Sequence, residues 1–159
     1  MNNAKPLTNI SLKTANELQE HTTKVFVYGT LKPGYGNYSR YCDGRVSGAV
    51  PATFDHGTLY HVSSFPAMVK GVRRVYGFVL ELCSPEILDW LDGLEGYRKD
   101  NPADSMYRRH RAIVRDSTGA SIRCWTYIWN CPTDGLALVP SGNWDPRGLH
   151  EGYFKDWPI

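Results

Sequence analysis

The sequence has no long apolar run and almost no charge imbalance. No segment approaches the roughly 18 to 20 consecutive apolar residues that a membrane-spanning helix needs, and residues 1–23 lack the apolar core and small-residue cleavage site of a secretory signal. The 18 Lys and Arg residues against 16 Asp and Glu residues give a net charge of +2, too small for a protein that binds phosphate backbones through a basic surface. We therefore expect no membrane span, no export and no nucleic-acid partner, and we predict a cytoplasmic location.

Cysteine is also scarce and follows no metal-binding pattern. Cys42, Cys83, Cys124 and Cys131 have separations of 41, 41 and 7, and no histidine stands near them at the spacing of a zinc site. Cys83 and Cys124 lie in apolar runs, where a thiol behaves as a small buried hydrophobe. We predict reduced structural cysteines, with a disulfide or a reactive thiol as the alternatives.

The length and composition fit one globular domain. The chain has 159 residues, of which 42% are hydrophobic, enough for a sizeable core. We predict a flexible polar arm at residues 1–23, one domain at residues 24–144, and a loop-rich tail at residues 145–159.

The pattern of apolar residues predicts strands with one confident helix. The first buried strand is expected at residues 24–28. A Ser-Pro-Glu sequence opens a helix at residue 84 that ends near residue 96, and residues 106–116 and 121–130 predict a hairpin. Further short strands are expected at residues 46–52, 57–62, 67–69 and 75–82. Strands without regular helix alternation indicate an α+β fold built on a small mixed β-barrel or strongly curled sheet with one main helix.

The loop after the first strand is the first candidate site. It reads Tyr28-Gly29-Thr30-Leu31, and a glycine directly after a buried strand lets backbone N–H groups face a pocket, where they bind a carboxylate or an oxyanion. The alternative is an ordinary tight turn. The glycine spacing matches no phosphate-binding loop.

Glu95 at the end of the predicted helix is the second candidate. It follows the apolar stripe and stands between two glycines. A carboxylate against an apolar wall has a raised pKa, which makes it a base useful near neutral pH. The alternative is a solvated acid at a helix C-terminus. Asp89 and Asp92, three residues apart on the same helix, are expected to be solvated.

Residues 105–111 are the third candidate, a strand rich in arginine. Alternation places Tyr107, Arg109 and Arg111 on one face. Such a strand could contact nucleic acid, but the balanced charge and the lack of a recognition motif disfavour this. The alternative is that the arginines lie exposed to solvent at the edge of the sheet.

Together these motifs resemble the gamma-glutamylcyclotransferase-like superfamily. The resemblance rests on residues 25–34 (VFVYGTLKPG), residues 88–97 (LDWLDGLEGY), residues 107–109 (YRR) and residues 139–144 (VPSGNW), in this order. It implies a small barrel-like fold, a pocket shaped by the YGTL loop and a glutamate base, which in this sequence is Glu95.

The resemblance also implies a reaction. A γ-glutamyl amine would cyclise to 5-oxoproline and a free amine, with Tyr28, Gly29, Thr30 and Leu31 binding the substrate and Tyr107 donating a hydrogen bond. The reaction needs no cofactor and no metal, and the expected partner is a small-molecule substrate. A non-catalytic binding module with the same pocket, and a structural or interaction protein, are the alternatives.

The sequence departs from the family pattern in two places. Asn143 stands where an aspartate is common, and residues 98–105 make the run between Glu95 and Tyr107 longer than in compact members. These polar residues lie between the predicted base and Tyr107, so we expect them either to cover the pocket as a lid or to form a solvated connection.

Overall fold

The computed structural model describes residues 23–158. None of the helices in this range is both long and apolar enough to cross a membrane. Within it the elements follow in the order β1 (Thr23–Val27), α1 (Gly36–Tyr41), β2 (Val46–Val62), β3 (Phe65–Lys70), β4 (Arg73–Leu82), α2 (Glu86–Leu94), a 3-10 helix (Pro102–Asp104), β5 (Tyr107–Arg115), β6 (Ser121–Trp129), β7 (Ala137–Leu138) and α3 (Glu151–Phe154).

Five of the strands close a barrel in the order β2-β4-β1-β6-β5. The barrel closes because β2 pairs with β4 and also reaches β5, where Thr53 lies opposite Arg115. β1 runs parallel to β6, and the other barrel pairs are antiparallel. β3 and β7 add to the sheet along β2. The predicted α+β fold with a small mixed β-barrel and one main helix is confirmed.

The strand β2 differs from the prediction of two separate strands at residues 46–52 and 57–62. It is a single strand of 17 residues whose pairing with β4 shifts register between Val46 and Gly48 and again between Phe54 and Gly57. Such irregularities bend a strand without ending it. The Gly and Pro residues that suggested a break therefore lie within a bent strand.

The strand β1 is buried on both faces, which explains its continuous apolar sequence. Phe26 belongs to one cluster of buried side chains, together with Val75, Val114 and Trp144. Val25 and its neighbour Val27 belong to a second cluster that includes the buried face of α2. A strand between two packed layers has no polar face.

The helix α2 lies where its sequence predicts it, but Pro85 rather than Ser84 occupies the N-cap position. The Ser84 hydroxyl accepts the N–H of Glu86 at 3.2 Å, which satisfies one of the free donors of the first turn. The chain leaves the helix at Gly96, whose φ of 66° lies in the left-handed region that glycine adopts most easily. Glu95 is the last residue before this turn.

Two details of the fold correct the sequence predictions. All four cysteines are free, as expected, but Cys83 is exposed because β4 ends at Leu82, so its predicted burial is wrong. The loop-rich tail contains α3, which its Gly and Pro content did not predict. The predicted N-terminal arm lies outside the described residues, apart from Thr23 at the start of β1.

Candidate active site

A cavity of about 260 Å³ brings all six predicted site residues together. Tyr28, Gly29, Thr30 and Leu31 approach it from the end of β1, Glu95 from the end of α2 and Tyr107 from the start of β5. The other lining residues are Phe26, Val27, Asn37, Ser64, Phe65, Pro66, Leu94, Met106 and Tyr127. The lining is mostly apolar and aromatic, and among residues 23–158 Glu95 is its one carboxylic acid.

Glu95 reaches the cavity because the end of α2 is tied to the start of β5. The N–H of Met106 donates to the carbonyl of Gly96 at 3.1 Å, and the N–H of Tyr97 donates to the carbonyl of Asp92 at 2.9 Å. Among the described residues, none gives the Glu95 carboxylate a hydrogen bond or an ion pair. Burial raises the pKa of Glu95 from 4.5 to about 7, because a charged carboxylate loses its hydration there. The group can therefore take and release a proton near neutral pH.

The loop after β1 presents unpaired backbone donors. The N–H groups of Gly29, Thr30 and Leu31 have no acceptor within residues 23–158, whereas the next N–H, of Lys32, closes a turn onto the carbonyl of Gly29 at 3.0 Å. Buried N–H groups are almost always paired, so three consecutive free ones at a cavity form a ready binding site for an anionic oxygen.

Gly29 is required by close packing rather than by an unusual backbone angle. A Cβ atom at this position would lie 2.7 Å from both Cδ and Cγ of Pro66, and a proline ring cannot move aside. The glycine thus lets β3, which carries Pro66, close against the loop after β1.

The Tyr107 hydroxyl does not point a proton at the cavity. It is buried and donates to the carbonyl of Pro66 at 2.7 Å. Tyr107 lines the cavity as expected, but the expected hydrogen bond from its hydroxyl to a substrate would require this contact to break. The residue therefore presents an acceptor in this structure.

Of the nine lining residues that the sequence did not predict, three carry polar side chains. Asn37 donates from Nδ2 to the Thr30 hydroxyl at 2.8 Å, which leaves the proton of Thr30 available. Ser64 comes from the two-residue turn between β2 and β3, whose first residue, Ser63, has a φ of 58°. Tyr127 comes from β6. Ser64 and Tyr127 reach the cavity through strand pairing, which no local pattern reports, whereas Asn37 lies in α1, seven residues after Thr30.

Asp92 and Arg109 correct the prediction that both are solvated. Their side chains are only 7% and 11% exposed and form an ion pair with 2.7 Å between Nη1 of Arg109 and Oδ2 of Asp92. The guanidinium also lies over the rings of Trp125 and Tyr97, at 4.7 Å and 5.5 Å from the ring centres. A signal was available, because Asp92 follows the buried Leu88 by four residues and so shares its helix face. Asp89 is exposed, as predicted.

The loop after β1 is supported by contacts with Trp144 and with the tail that follows it. The buried Lys32 donates through Nζ to the carbonyl of Trp144, and burial lowers the pKa of this lysine to about 8. His150 contacts the carbonyl of Pro33 at 2.6 Å, and the Tyr35 hydroxyl donates to Asp145. These contacts fix the loop that carries the three free N–H groups.

Residues 98–105 do not cover the cavity, so the expectation of a lid is not met. None of these described residues contributes to the cavity lining. The segment folds back on itself, with the Arg98 N–H donating to the Ser105 hydroxyl at 2.8 Å. Nδ2 of Asn130, at the end of β6, donates to the carbonyls of Ala103 and Ser105 at 3.1 and 2.9 Å. Residues 98–105 therefore form a connection beside the site that these hydrogen bonds hold in place.

Known proteins share this sequence pattern. The sequence model of the family "Gamma-glutamyl cyclotransferase, AIG2-like" matches residues 25–146. The "Putative gamma-glutamylcyclotransferase" of Vibrio cholerae serotype O1 is 31% identical over 123 residues, which cover 77% of this chain and 96% of that protein. The "Gamma-glutamylcyclotransferase family protein YtfP" of Escherichia coli strain K12 is 27% identical over 124 residues, 78% of this chain and 97% of that one.

Solved structures show the same architecture. The crystal structure of an AIG2-like protein from Mus musculus has a TM-score of 0.62 and 23% identity, covering 82% of this chain and 92% of the mouse chain. The solution structure of YtfP from Escherichia coli has a TM-score of 0.51 and 27% identity, covering 77% and 96%. The five-stranded barrel is thus shared, and the tail after residue 146 lies beyond the family match.

Proposed function

This chain belongs to the gamma-glutamyl cyclotransferase, AIG2-like family, and we propose that it converts a γ-glutamyl amine to 5-oxoproline and a free amine. One observation carries the proposal: a single cavity holds a carboxylate whose pKa is raised to about 7 and a loop with three unpaired N–H groups. Cyclisation needs a base for the amine and donors for the carbonyl oxygen, and both are present.

Proton transfer sets the demand on Glu95. The α-amino group of the substrate is an ammonium with an ordinary pKa of ~8, and an ordinary glutamate at ~4.3 would accept its proton at a cost of about 5 kcal/mol. With its pKa at about 7, Glu95 accepts the same proton at a cost of about 1.4 kcal/mol. Burial therefore raises the equilibrium constant for forming the free amine by a factor of several hundred.

Ring closure then uses groups of the substrate itself. The free amine attacks the γ-carbonyl carbon, a C–N bond closes the five-membered ring, and the bond from that carbon to the leaving nitrogen breaks. The proton held by Glu95 passes to the leaving nitrogen. The regenerated carboxylate then takes the second proton from the ring nitrogen and passes it to the released amine, which leaves as an ammonium ion. Orientation of two groups within one molecule contributes up to ~7–11 kcal/mol of the barrier in favourable cases.

The loop after β1 would stabilise the charge that develops during attack. The carbonyl oxygen becomes negative in the tetrahedral intermediate, and the N–H groups of Gly29, Thr30 and Leu31 are fixed donors that need no rearrangement. The Thr30 hydroxyl, which accepts from Asn37, retains a proton for the substrate carboxylate.

Release of 5-oxoproline is the direct test. Purified protein is incubated with a panel of γ-glutamyl amines that covers γ-glutamyl amino acids, γ-glutamyl-lysine and simple γ-glutamyl alkylamides, and 5-oxoproline is detected by mass spectrometry. We expect at least one substrate to release 5-oxoproline with the wild-type protein and far less with Glu95→Gln. Binding of these compounds without any release would instead identify a non-catalytic binding module.

A further inference from the structure

Three tyrosines of the cavity share an unusual arrangement of their hydroxyl protons. Tyr28 donates to the backbone carbonyl of Tyr127 at 2.6 Å, Tyr107 donates to the carbonyl of Pro66 at 2.7 Å, and Tyr127 donates to Oδ1 of Asp92 at 2.7 Å. Each proton is thus directed to a protein acceptor. Burial, the first cause in each case, raises the pKa of all three hydroxyls, and the charge of Glu95 adds to it, so the protons stay in place.

A tyrosine hydroxyl with its proton committed can only accept a further hydrogen bond. A hydroxyl has one proton and two lone pairs, and backbone carbonyls and an ionised carboxylate offer no proton in exchange. The charge of Glu95 acts on all three hydroxyls, and all four residues line the cavity, so the three oxygens and the carboxylate form one group of acceptors there. The loop at Gly29, in contrast, offers donors.

The Tyr127 hydroxyl must donate to Asp92, because Arg109 and the ionised Asp92 cannot exchange their donor and acceptor roles. Arg109 only donates, and it binds Oδ2 of Asp92 at 2.7 Å, so the ionised Asp92 accepts on one oxygen from Arg109 and on the other from Tyr127. Burial raises the pKa of Asp92, while the bonds from Tyr127 and Arg109 favour its charged form. The ring stacking of Arg109 against Trp125 holds the donor in place.

We propose that Tyr28, Tyr107 and Tyr127, together with Glu95, form an acceptor-only subsite for the α-ammonium group of the substrate, and that Asp92 is a positioning residue that sets the polarity of Tyr127. The inference rests on the proposed function and deepens it. An ammonium carries three donors and no acceptor, so it matches this group of acceptors, while the substrate carboxylate or carbonyl oxygen matches the loop at Gly29. The cavity thereby distinguishes the two ends of an α-amino acid group.

Asp92→Asn tests whether Asp92 sets the direction of the Tyr127 hydrogen bond, and it changes the shape of the side chain little. Because Arg109 only donates, the amide oxygen of the new asparagine must face Arg109, and its NH₂ group must face Tyr127. Tyr127 would then accept from the asparagine and direct its own proton elsewhere, toward the cavity. Tyr127→Phe, in comparison, removes the acceptor without reversing it.

The measurement compares two ligands that differ only in the ammonium group. γ-Glutamyl-n-butylamide carries it, and glutaric acid mono-n-butylamide lacks it. Their dissociation constants are measured by calorimetry at pH 7.5 in the Glu95→Gln background, which prevents turnover. Tyr153→Phe, on an exposed side chain outside the cavity, is the matched control, and 5-oxoproline release by the wild-type protein is measured in parallel to test the proposed function separately.

We expect the reference protein to prefer the ammonium ligand by tenfold or more, since a hydrogen bond that involves a charge is among the stronger ones. Tyr127→Phe should reduce this preference about tenfold, and Asp92→Asn should reduce it at least as much. In the Tyr127→Phe background, Asp92→Asn should leave the preference unchanged, because its effect passes through the Tyr127 hydroxyl. Tyr153→Phe should leave it at the reference value.

Four results would overturn the inference. The first is a reference protein that shows no preference for the ammonium ligand. The second and third concern Tyr127→Phe: an equal loss of affinity for both ligands, or an unchanged preference. The fourth is an effect of Asp92→Asn that persists in the Tyr127→Phe background. If Asp92→Asn does not fold, Tyr127→Phe decides alone. A protein that releases 5-oxoproline but fails the ligand comparison keeps the proposed function and loses this subsite.

Discussion

Glu95→Gln should separate catalysis from stability at one side chain. The substitution keeps the size of the side chain and its capacity for hydrogen bonds but removes the ionisable group. Loss of a general base typically lowers turnover by 10²–10⁴-fold, so we expect a fall of at least about 100-fold in kcat. The wild-type kcat/KM should also decline as the pH falls below about 7, because the pKa of Glu95 is raised to about 7 and only the ionised carboxylate accepts a proton.

The same substitution should stabilise the fold, and the effect should depend on pH. The folded protein holds the Glu95 proton up to a pKa of about 7, whereas a glutamate in the unfolded chain titrates near 4.5. The folded state therefore binds more protons in this interval, and the free energy of unfolding of the wild type falls as pH rises from about 4.5 to about 7. The loss reaches about 3 kcal/mol above that range. Glu95→Gln has no such loss.

Urea denaturation of both proteins at pH 4.5, 6 and 8 measures this difference. We expect nearly equal stabilities at pH 4.5 and an advantage of about 3 kcal/mol for the variant at pH 8. Glu86→Gln, on an exposed carboxylate of the same helix, serves as the control and should keep wild-type turnover. Near-normal turnover of Glu95→Gln, or a stability difference that is the same at all three pH values, would refute the reasoning.

The remaining predictions concern the residues around the cavity. Ser63→Gly should stabilise the protein by about 1 kcal/mol in urea denaturation, because Ser63 holds a φ of 58° that disfavours a side chain; an unchanged midpoint would show that the turn is unstrained. Gly29→Ala should destabilise the protein by about 1–3 kcal/mol by overpacking against Pro66, and adding Pro66→Ala should restore part of this loss; equal effects in both backgrounds would exclude the contact as the cause. Asn130→Ala should lower the free energy of unfolding by about 1–3 kcal/mol, since it removes donors to the backbone of residues 98–105, yet leave the order of preference among γ-glutamyl amines unchanged; a changed order would mean that the loop contacts the substrate.

The elements that the sequence predicted well are those with local causes. The continuous apolar run of β1 reflects burial on both faces. The hydrogen bond from Glu86 to the Ser84 hydroxyl and the turn at Gly96 are interactions within a few residues. The position of Glu95 at the cavity also has a local cause, since its helix face and its flanking glycines are visible in the sequence. A local pattern reports a local structure, and these elements needed nothing else.

The elements that escaped prediction depend on strand pairing. Tyr127 faces the cavity because β6 lies beside β1, and Ser64 does so because the turn between β2 and β3 folds over the end of β1. Arg109 looked like part of a solvated edge, since alternation along β5 gives its face but not what covers that face. The covering group is Asp92 on α2, which no spacing within β5 could indicate.

The convergence of distant motifs on one cavity results from the central place of β1. This strand pairs with β4 on one side and with β6 on the other. The loop at its end, where Gly29 lies, therefore has residues that follow β4 on one side and residues of β6 on the other. The chain leaves β4 directly into α2, whose last turn carries Glu95, and β6 carries Tyr127 along its length. Glu95 at the end of α2, the Tyr127 side chain on β6 and the free N–H groups of the loop after β1 therefore meet at one cavity. On the proposed function, the substrate would present its carbonyl to the loop after β1 and its amine to Glu95, which is the orientation that ring closure requires.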